Sequence, residues 1–190
     1  MHAEGDLDPL VRMAVAHYQF EAIHPFHDGN GRTGRILNIL MLIEAGILNE
    51  PILYLSRSII ARKNDYYRLL HAVTAEGAWI EWIHYMLDVV RESATSTTRK
   101  ISSIRACREG IAERARAATQ GGRDMQLLAV LFEQPYCRIS TVVDRCEVSR
   151  QTASTWLHTL VDAVLLHHVK VGRERLFVNH EFLDVLIRPE

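Results

Sequence analysis

Residues 24–35 read HPFHDGNGRTGR, and this run of polar groups decides how the chain on either side of it folds. Pro25 and the Asp28-Gly29-Asn30-Gly31 cluster break two helical patterns apart. Upstream, Asp8-Pro9 has the form of a helix start, an acidic N-cap followed by proline at the first helical position. Leu10, Met13, Ala14 and Tyr18 then recur at helical spacing, which predicts a helix from about Pro9 to Ala22. Downstream, Ile36, Leu37, Ile39, Leu40, Leu42 and Ile43 predict a nearly all-round apolar helix, central and buried, that begins near Arg32 and is stopped by Gly46. Ser56 is the expected cap of a third helix. RSIIARKNDYYRLLHAV (57–73) reads as helical with a break near Lys63 to Asp65, and AWIEWIHYMLDVV (78–90) resumes the helical period after Gly77. No strand pattern is expected before residue 160.

The chain's 190 residues, 48% of them hydrophobic, suffice for one sizeable core or two small ones. Its 22 basic and 23 acidic side chains give a net charge of -1, which argues against a polycationic nucleic-acid coat or a basic membrane-surface binder. Cys107, Cys137 and Cys146 show no C-x-x-C spacing, so neither a disulfide framework nor a thiolate metal site is indicated. With no apolar run of membrane-spanning length and no leader pattern, the expectation is a soluble, cytoplasmic protein without membrane contact.

From Ser93 to Gln120 the composition shifts to Ser, Thr, Ala and Arg with few large apolar residues, and Gly121-Gly122 closes the stretch. The expected division is a helical core at 1–92, a helical linker at 93–122 and a separate unit at 123–190.

Glycines beside Asn30 permit positive φ, so successive N–H groups in the turn can form an anion-binding nest at which the following helix aims its N-terminus. Arg32 and Arg35 stand three apart and suit a di- or triphosphate. Asp28 would repel such a guest unless a divalent cation such as Mg²⁺ stood between them. His24, at the entrance, is placed to act as general base toward a hydroxyl. His24 and His27 also have the spacing of a metal pair, but no further ligands accompany them.

The stretch matches every specified position of H-P-F-x-[D/E]-G-N-G-R-x-x-R and so resembles the signature of the Fic family. The likeness extends through LYLSRSIIARKNDYYRLLHAV (53–73) and covers about residues 8–92. It implies a mainly α fold and transfer of AMP from ATP to a hydroxyl of a target protein's Ser, Thr or Tyr. By resemblance, His24 would deprotonate that hydroxyl and Asp28 would hold Mg²⁺. Gly29, Asn30, Gly31, Arg32, Thr33, Gly34 and Arg35 would hold the nucleotide's phosphates, Phe26 would anchor the loop in the core, and Tyr66 and Tyr67 would lie near the base. Fic cores usually carry preceding helices and a β-hairpin flap, whereas 23 residues precede His24 here, so no flap is expected. The family's inhibitory pattern, [S/T]-x-x-x-E-[G/N], is not met, because Ala72 precedes Glu76 and Arg105 precedes Glu109 by four residues. Arg35 is thus expected to lack a brake.

Beyond Gly122 lie DMQLLAVLFEQ (124–134), RISTVVDRCE (138–147), VSRQTASTWLHTLVDAVLL (148–166) and LHHVKVGRERLFVN (166–179). The last alternates apolar and polar residues about Gly172, as a strand pair would, and the whole resembles a small winged helix-turn-helix (α+β) domain. Arg150, Gln151 and Ser154 on its recognition helix and Arg173 on its wing are the candidate DNA contacts. Eight basic against nine acidic residues over 123–190 make that footprint weak, and protein contact, including self-association, is a comparable alternative. The rival to AMP transfer is a nucleotide-sensing transcriptional regulator, and a third reading is a Fic relative with another phosphate-bearing donor.

Overall fold

The computed structural model describes residues 7–119, 124–172 and 174–188. The chain forms two compact units, Met1–Thr98 and Arg99–Glu190. Mainly α architecture with one small sheet is observed, as expected.

In the first unit, helix α1 (Pro9–Ile23) opens with Asp8 Oδ1 accepting from the Leu10 N–H at 2.8 Å. Helix α2 (Asn30–Glu44) follows the loop, and α3 (Leu55–Ala61) and α4 (Lys63–Glu76) are hinged at Arg62. Helix α5 (Trp79–Thr119) begins after Gly77, whose φ of 70° ends α4 in a left-handed cap. The core gathers Met13 and Ala14 of α1, Leu42 of α2, Ile59 of α3, Leu69 of α4 and Trp82 and Met86 of α5. Trp82 Nε1 donates to the Ala14 carbonyl at 2.8 Å, so the buried indole is satisfied across two helices.

Three local expectations are corrected. Ser56 does not cap α3, because the helix starts at Leu55 with Tyr54 as N-cap and Ser56 lies within it. Helix α2 is not buried all round. Its inward stripe is Asn30, Gly34, Asn38 and Leu42, and Ile36 and Leu40 stand 59% and 53% exposed. The small and polar stripe wins because α1 approaches so closely that a Cβ on Gly34 would fall 2.7 Å from Glu21 Oε1, leaving no room there for a branched side chain. A strand also precedes residue 160, since β1 (Tyr136–Cys137) is two residues long, too short for alternation to reveal.

The second unit follows from α6 (Asp124–Glu133) through β1 to α7 (Ile139–Cys146), α8 (Arg150–Asp162), β2 (His167–Val171), β3 (Glu174–Val178) and α9 (His180–Ile187). Its antiparallel sheet has the order β1-β3-β2, with Cys137 and His168 both opposite Phe177. Ser149 caps α8 by accepting from Thr152 N–H at 3.1 Å, and Asn179 caps α9 through Phe182 N–H at 3.0 Å. Leu127, Leu131, Val142, Leu157, Leu160 and Phe177 fill the core. Ile111, Ala112 and Ala115 of α5 belong to that core too, so part of the stretch expected to be a linker is built into the second unit. No described helix is long and apolar enough to cross a membrane.

Candidate functional site

Helix α1 ends on His24, which takes the left-handed conformation (φ 50°) while its N–H donates to the Phe20 carbonyl at 3.1 Å. Few residues other than glycine adopt that geometry, though histidine does so more than most. It turns the chain out of the helix and leaves the imidazole exposed at the rim. Gly29, with φ 86°, is the N-cap of α2 and supplies the second left-handed turn. Hydrogen bonding into α2 begins with Thr33 N–H to the Gly29 carbonyl at 2.9 Å, so the amides of Asn30, Gly31 and Arg32 precede the ladder and point out of the helix's positive end.

Between them, Asn30 pins the loop. Its Oδ1 accepts from the Phe26 N–H at 3.0 Å, its Nδ2 donates to the Phe26 carbonyl at 2.6 Å, and the side chain is buried. Asn30 therefore contributes its backbone to the site and not its amide group. Phe26 does not anchor the loop in the core as expected, being 50% exposed, because the Asn30 bridge already holds its backbone.

The loop roofs a cleft of about 560 Å³ whose lining includes Glu21, His24, His27, Asp28, Gly29, Asn30, Gly31, Arg32, Arg35, Lys63, Tyr66 and Tyr67. That volume falls in the range of small-molecule sites, about 300 to 1,000 Å³. Asp28 Oδ1 accepts from the Gly29 N–H at 2.6 Å and its Oδ2 from Arg32 at 3.0 Å. Arg35 Nε donates to Ser56 Oγ at 2.8 Å, which fixes its guanidinium from α3, and no carboxylate ion-pairs with Arg35 among the described residues. Thr33 and Gly34 lie outside the lining, and Gly34 faces α1 instead. Of the two tyrosines, Tyr66 is buried with its hydroxyl 2.9 Å from His17 Nε2, and Tyr67 is the exposed one, its ring 5.7 Å from Lys63 Nζ. Burial, and secondarily the charge of Glu21, raises the Tyr66 hydroxyl far above its ordinary pKa, so it stays a neutral hydroxyl at any physiological pH.

Lys63 and Glu21 are site residues that pattern reading did not find. Glu21 stands three residues before His24 and four after His17, a spacing that puts all three near one face of α1 and was the available signal. Its Oε1 is buried without a hydrogen-bond partner. Burial raises its carboxyl pKa, and the positive charges of Arg35 and His24 oppose the rise. His17 is enclosed beneath α2, and burial lowers its pKa to about 4, aided by Arg35 and opposed by the Gly34 backbone and Asn38. No group of three or more metal-ligating side chains occurs among the described residues.

In the second unit, Arg150 and Gln151 are exposed on the first turn of α8, and Ser154 lies one turn on, partly covered. Arg173 lies outside the described residues.

The Fic/DOC family model matches residues 1–42, and the model of the SoFic-like protein adenylyltransferase C-terminal domain matches residues 108–182. Protein adenylyltransferase fic-1 of Caenorhabditis elegans is 32% identical over 105 residues, 55% of this chain and 19% of that one. The probable protein adenylyltransferase aq_aa38 of Aquifex aeolicus (strain VF5) is 50% identical over 46 residues, 24% of this chain and 14% of that one. A Fic family protein from Desulfovibrio desulfuricans G20 superposes with a TM-score of 0.48 at 21% identity, over 92% of this chain and 50% of that chain. The chain thus spans about a fifth of the length of the curated relatives it matches. One family model thus runs through α1, the loop and most of α2, and the other lies within the second unit, so each unit is similar to a part of Fic-type protein adenylyltransferases.

Proposed function

We propose that the first unit transfers AMP from ATP to a hydroxyl side chain of a target protein. One observation carries the reading: the 24–35 loop brings an exposed imidazole, an exposed carboxylate, the open amides of a helix N-terminus and two guanidiniums to a single cleft. The names of the curated relatives support it, since each is called a protein adenylyltransferase.

The residues divide the work by chemistry. The α2 amides, Arg32 and Arg35 bind phosphate oxygens and hold the charge that develops on them. His24 accepts the proton of the target hydroxyl. That oxygen forms a bond to the α-phosphorus, the bond from the α-phosphorus to the α–β bridging oxygen breaks, and pyrophosphate leaves with the electron pair. Tyr67 offers an exposed ring at the cleft for stacking against the base.

The donor set fits Mg²⁺ in one respect that the structure displays. Asp28 is a single, 91% exposed carboxylate beside the amides, and Mg²⁺ is commonly held by one or two carboxylates together with substrate phosphates. Its pairing with Arg32 is solvent-exposed on both sides, and such a pair contributes only about 0 to 1 kcal/mol, so it yields readily to a metal and a triphosphate. Bound there, Mg²⁺ would neutralise phosphate charge and polarise the phosphoryl oxygens.

ATP labelled at the α-phosphate, incubated with the chain and a cell extract, tests the reading. Label should pass to protein, should be lost with His24→Ala, and ATP binding should survive in that variant. Binding without transfer in the unaltered chain would favour nucleotide sensing, and transfer from CTP or UTP in preference to ATP would favour another donor. Asp28→Ala should abolish the Mg²⁺ dependence of binding, and unchanged calorimetric affinity with and without metal would remove Asp28 from the assignment.

A further inference from the structure

The second unit contains a cleft of about 250 Å³ lined by Arg138, Ser140, Arg150, Ser154, His158 and Arg175, together with Ile139 and Glu174. We propose that it binds a backbone phosphate of duplex DNA. The inference does not depend on the reaction assigned to the first unit.

Three structural elements deliver the cleft's cations. Arg138 is the N-cap of α7, Arg150 opens α8, and Arg175 lies on β3. On α8 the buried stripe is Ala153, Leu157 and Leu160, and Arg150, Ser154 and His158, each four residues apart, form the adjoining stripe along the cleft. Helix α7 has no side-chain cap and its ladder begins with Val142 N–H to the Arg138 carbonyl at 3.3 Å, so the amides of Ile139 and Ser140 precede the ladder at a cleft they both line.

The pairing within the cleft is incomplete in a way an anion would complete. Arg138 Nε meets Glu174 at 2.8 Å, the one carboxylate of the lining. Arg150 has no ion pair or hydrogen bond among the described residues. Arg175 lies 3.2 Å from His158 Nε2. A guanidinium only donates, so Nε2 accepts and the imidazole proton resides on Nδ1, which is buried without a partner. Three guanidiniums against one carboxylate leave two positive charges, two hydroxyls and open amides, the donor set a phosphate takes.

A polymer is favoured over a free ion by what surrounds the cleft. Gln151 and Thr155 form an exposed polar stripe on the other side of the Arg150 stripe, and every residue of β2, from His167 to Val171, is exposed. Over residues 99–190 there are 14 Lys and Arg against 11 Asp and Glu, so the unit as it folds is basic, unlike the segment 123–190.

Fluorescence anisotropy of the full chain with a labelled duplex of about 20 base pairs, titrated at several salt concentrations, tests this. Arg150→Ala should weaken binding at least about fivefold at low salt. It should also flatten the slope of log affinity against log salt by about 0.9, one phosphate contact's worth. Arg150→Lys should keep the slope, and Ser140→Ala should weaken binding without changing it. Thermal melts superimposable on the unaltered chain certify that the variants fold. Absence of duplex binding at about 50 mM salt would overturn the proposal, as would an Arg150→Ala variant with unchanged affinity and slope. Arg150-dependent capture of a phosphopeptide or of inorganic phosphate, with no capture of the duplex, would assign the cleft to a different ligand and equally refute it.

Discussion

Acidification should uncouple α1 from α2 through a single side chain. His17 is 1% exposed, with Trp82 stacked on it at 6.1 Å and 5° and Tyr66 on its Nε2. Burial holds its pKa near 4, against 6.5 in open chain. As pH falls through 6.5 the unfolded chain takes up a proton on His17 and the folded chain does not, so stability is full above that value and is lost progressively toward pH 4. At about 1.4 kcal/mol per pH unit, the loss between pH 7 and pH 4.5 comes to about 2.5 kcal/mol. Glu21 works against this trend, because burial makes its folded form bind a proton before the unfolded form does. The quantity to measure is therefore the difference between the unaltered chain and His17→Gln, which keeps a polar partner for Tyr66 but cannot titrate. Urea unfolding in a Trp156→Phe background leaves Trp79 and Trp82, both in the first unit, as reporters. The variant should lose about 2.5 kcal/mol less than the parent over that pH interval. Parallel pH profiles would show that His17 is protonated in the fold and that the enclosure does not govern its charge.

Gly34→Ala should destabilise the first unit by about 1 to 3 kcal/mol, seen as a lower urea midpoint, because the new methyl meets Glu21 Oε1 at 2.7 Å and the His17 ring at 3.0 Å. An unchanged midpoint would mean that α1 and α2 part without cost. Arg35→Ala should weaken ATP much more than AMP, by a contact of about 1.5 to 3 kcal/mol, since Arg35 is held by Ser56 and pairs with no carboxylate among the described residues. Matched losses in calorimetry would show that Arg35 does not read the outer phosphates. A fragment beginning at Arg99 should melt cooperatively. One beginning at Gly121, deprived of Ile111, Ala112 and Ala115, should not, and equal melts would deny those residues a part in the second core.

Features governed by neighbours in sequence were legible without the fold. Asp8-Pro9, Gly77 and Ser149 announce the helix ends they make, because a cap is a hydrogen bond or a φ value within a few residues. The 24–35 run likewise declares its left-handed glycine, its open amides and its resemblance to the Fic signature. Which side of a helix becomes interior is another matter, since it is set by the partner that comes closest. Apolar content pointed to Ile36 and Leu40 of α2 as core, yet contact with α1 at Gly34 and Asn38 turned them outward. The same approach brought Glu21 under the loop, and the hinge at Arg62 brought Lys63 to the cleft from another helix. Asn30 rather than Phe26 holds the loop because a buried amide bonded to both backbone groups of one residue outcompetes a ring with nothing deep to enter. Local chemistry chose the polar groups of the loop, and the packing of α1 against α2, with the turn into α4 at Arg62, decided which side chains line the cleft.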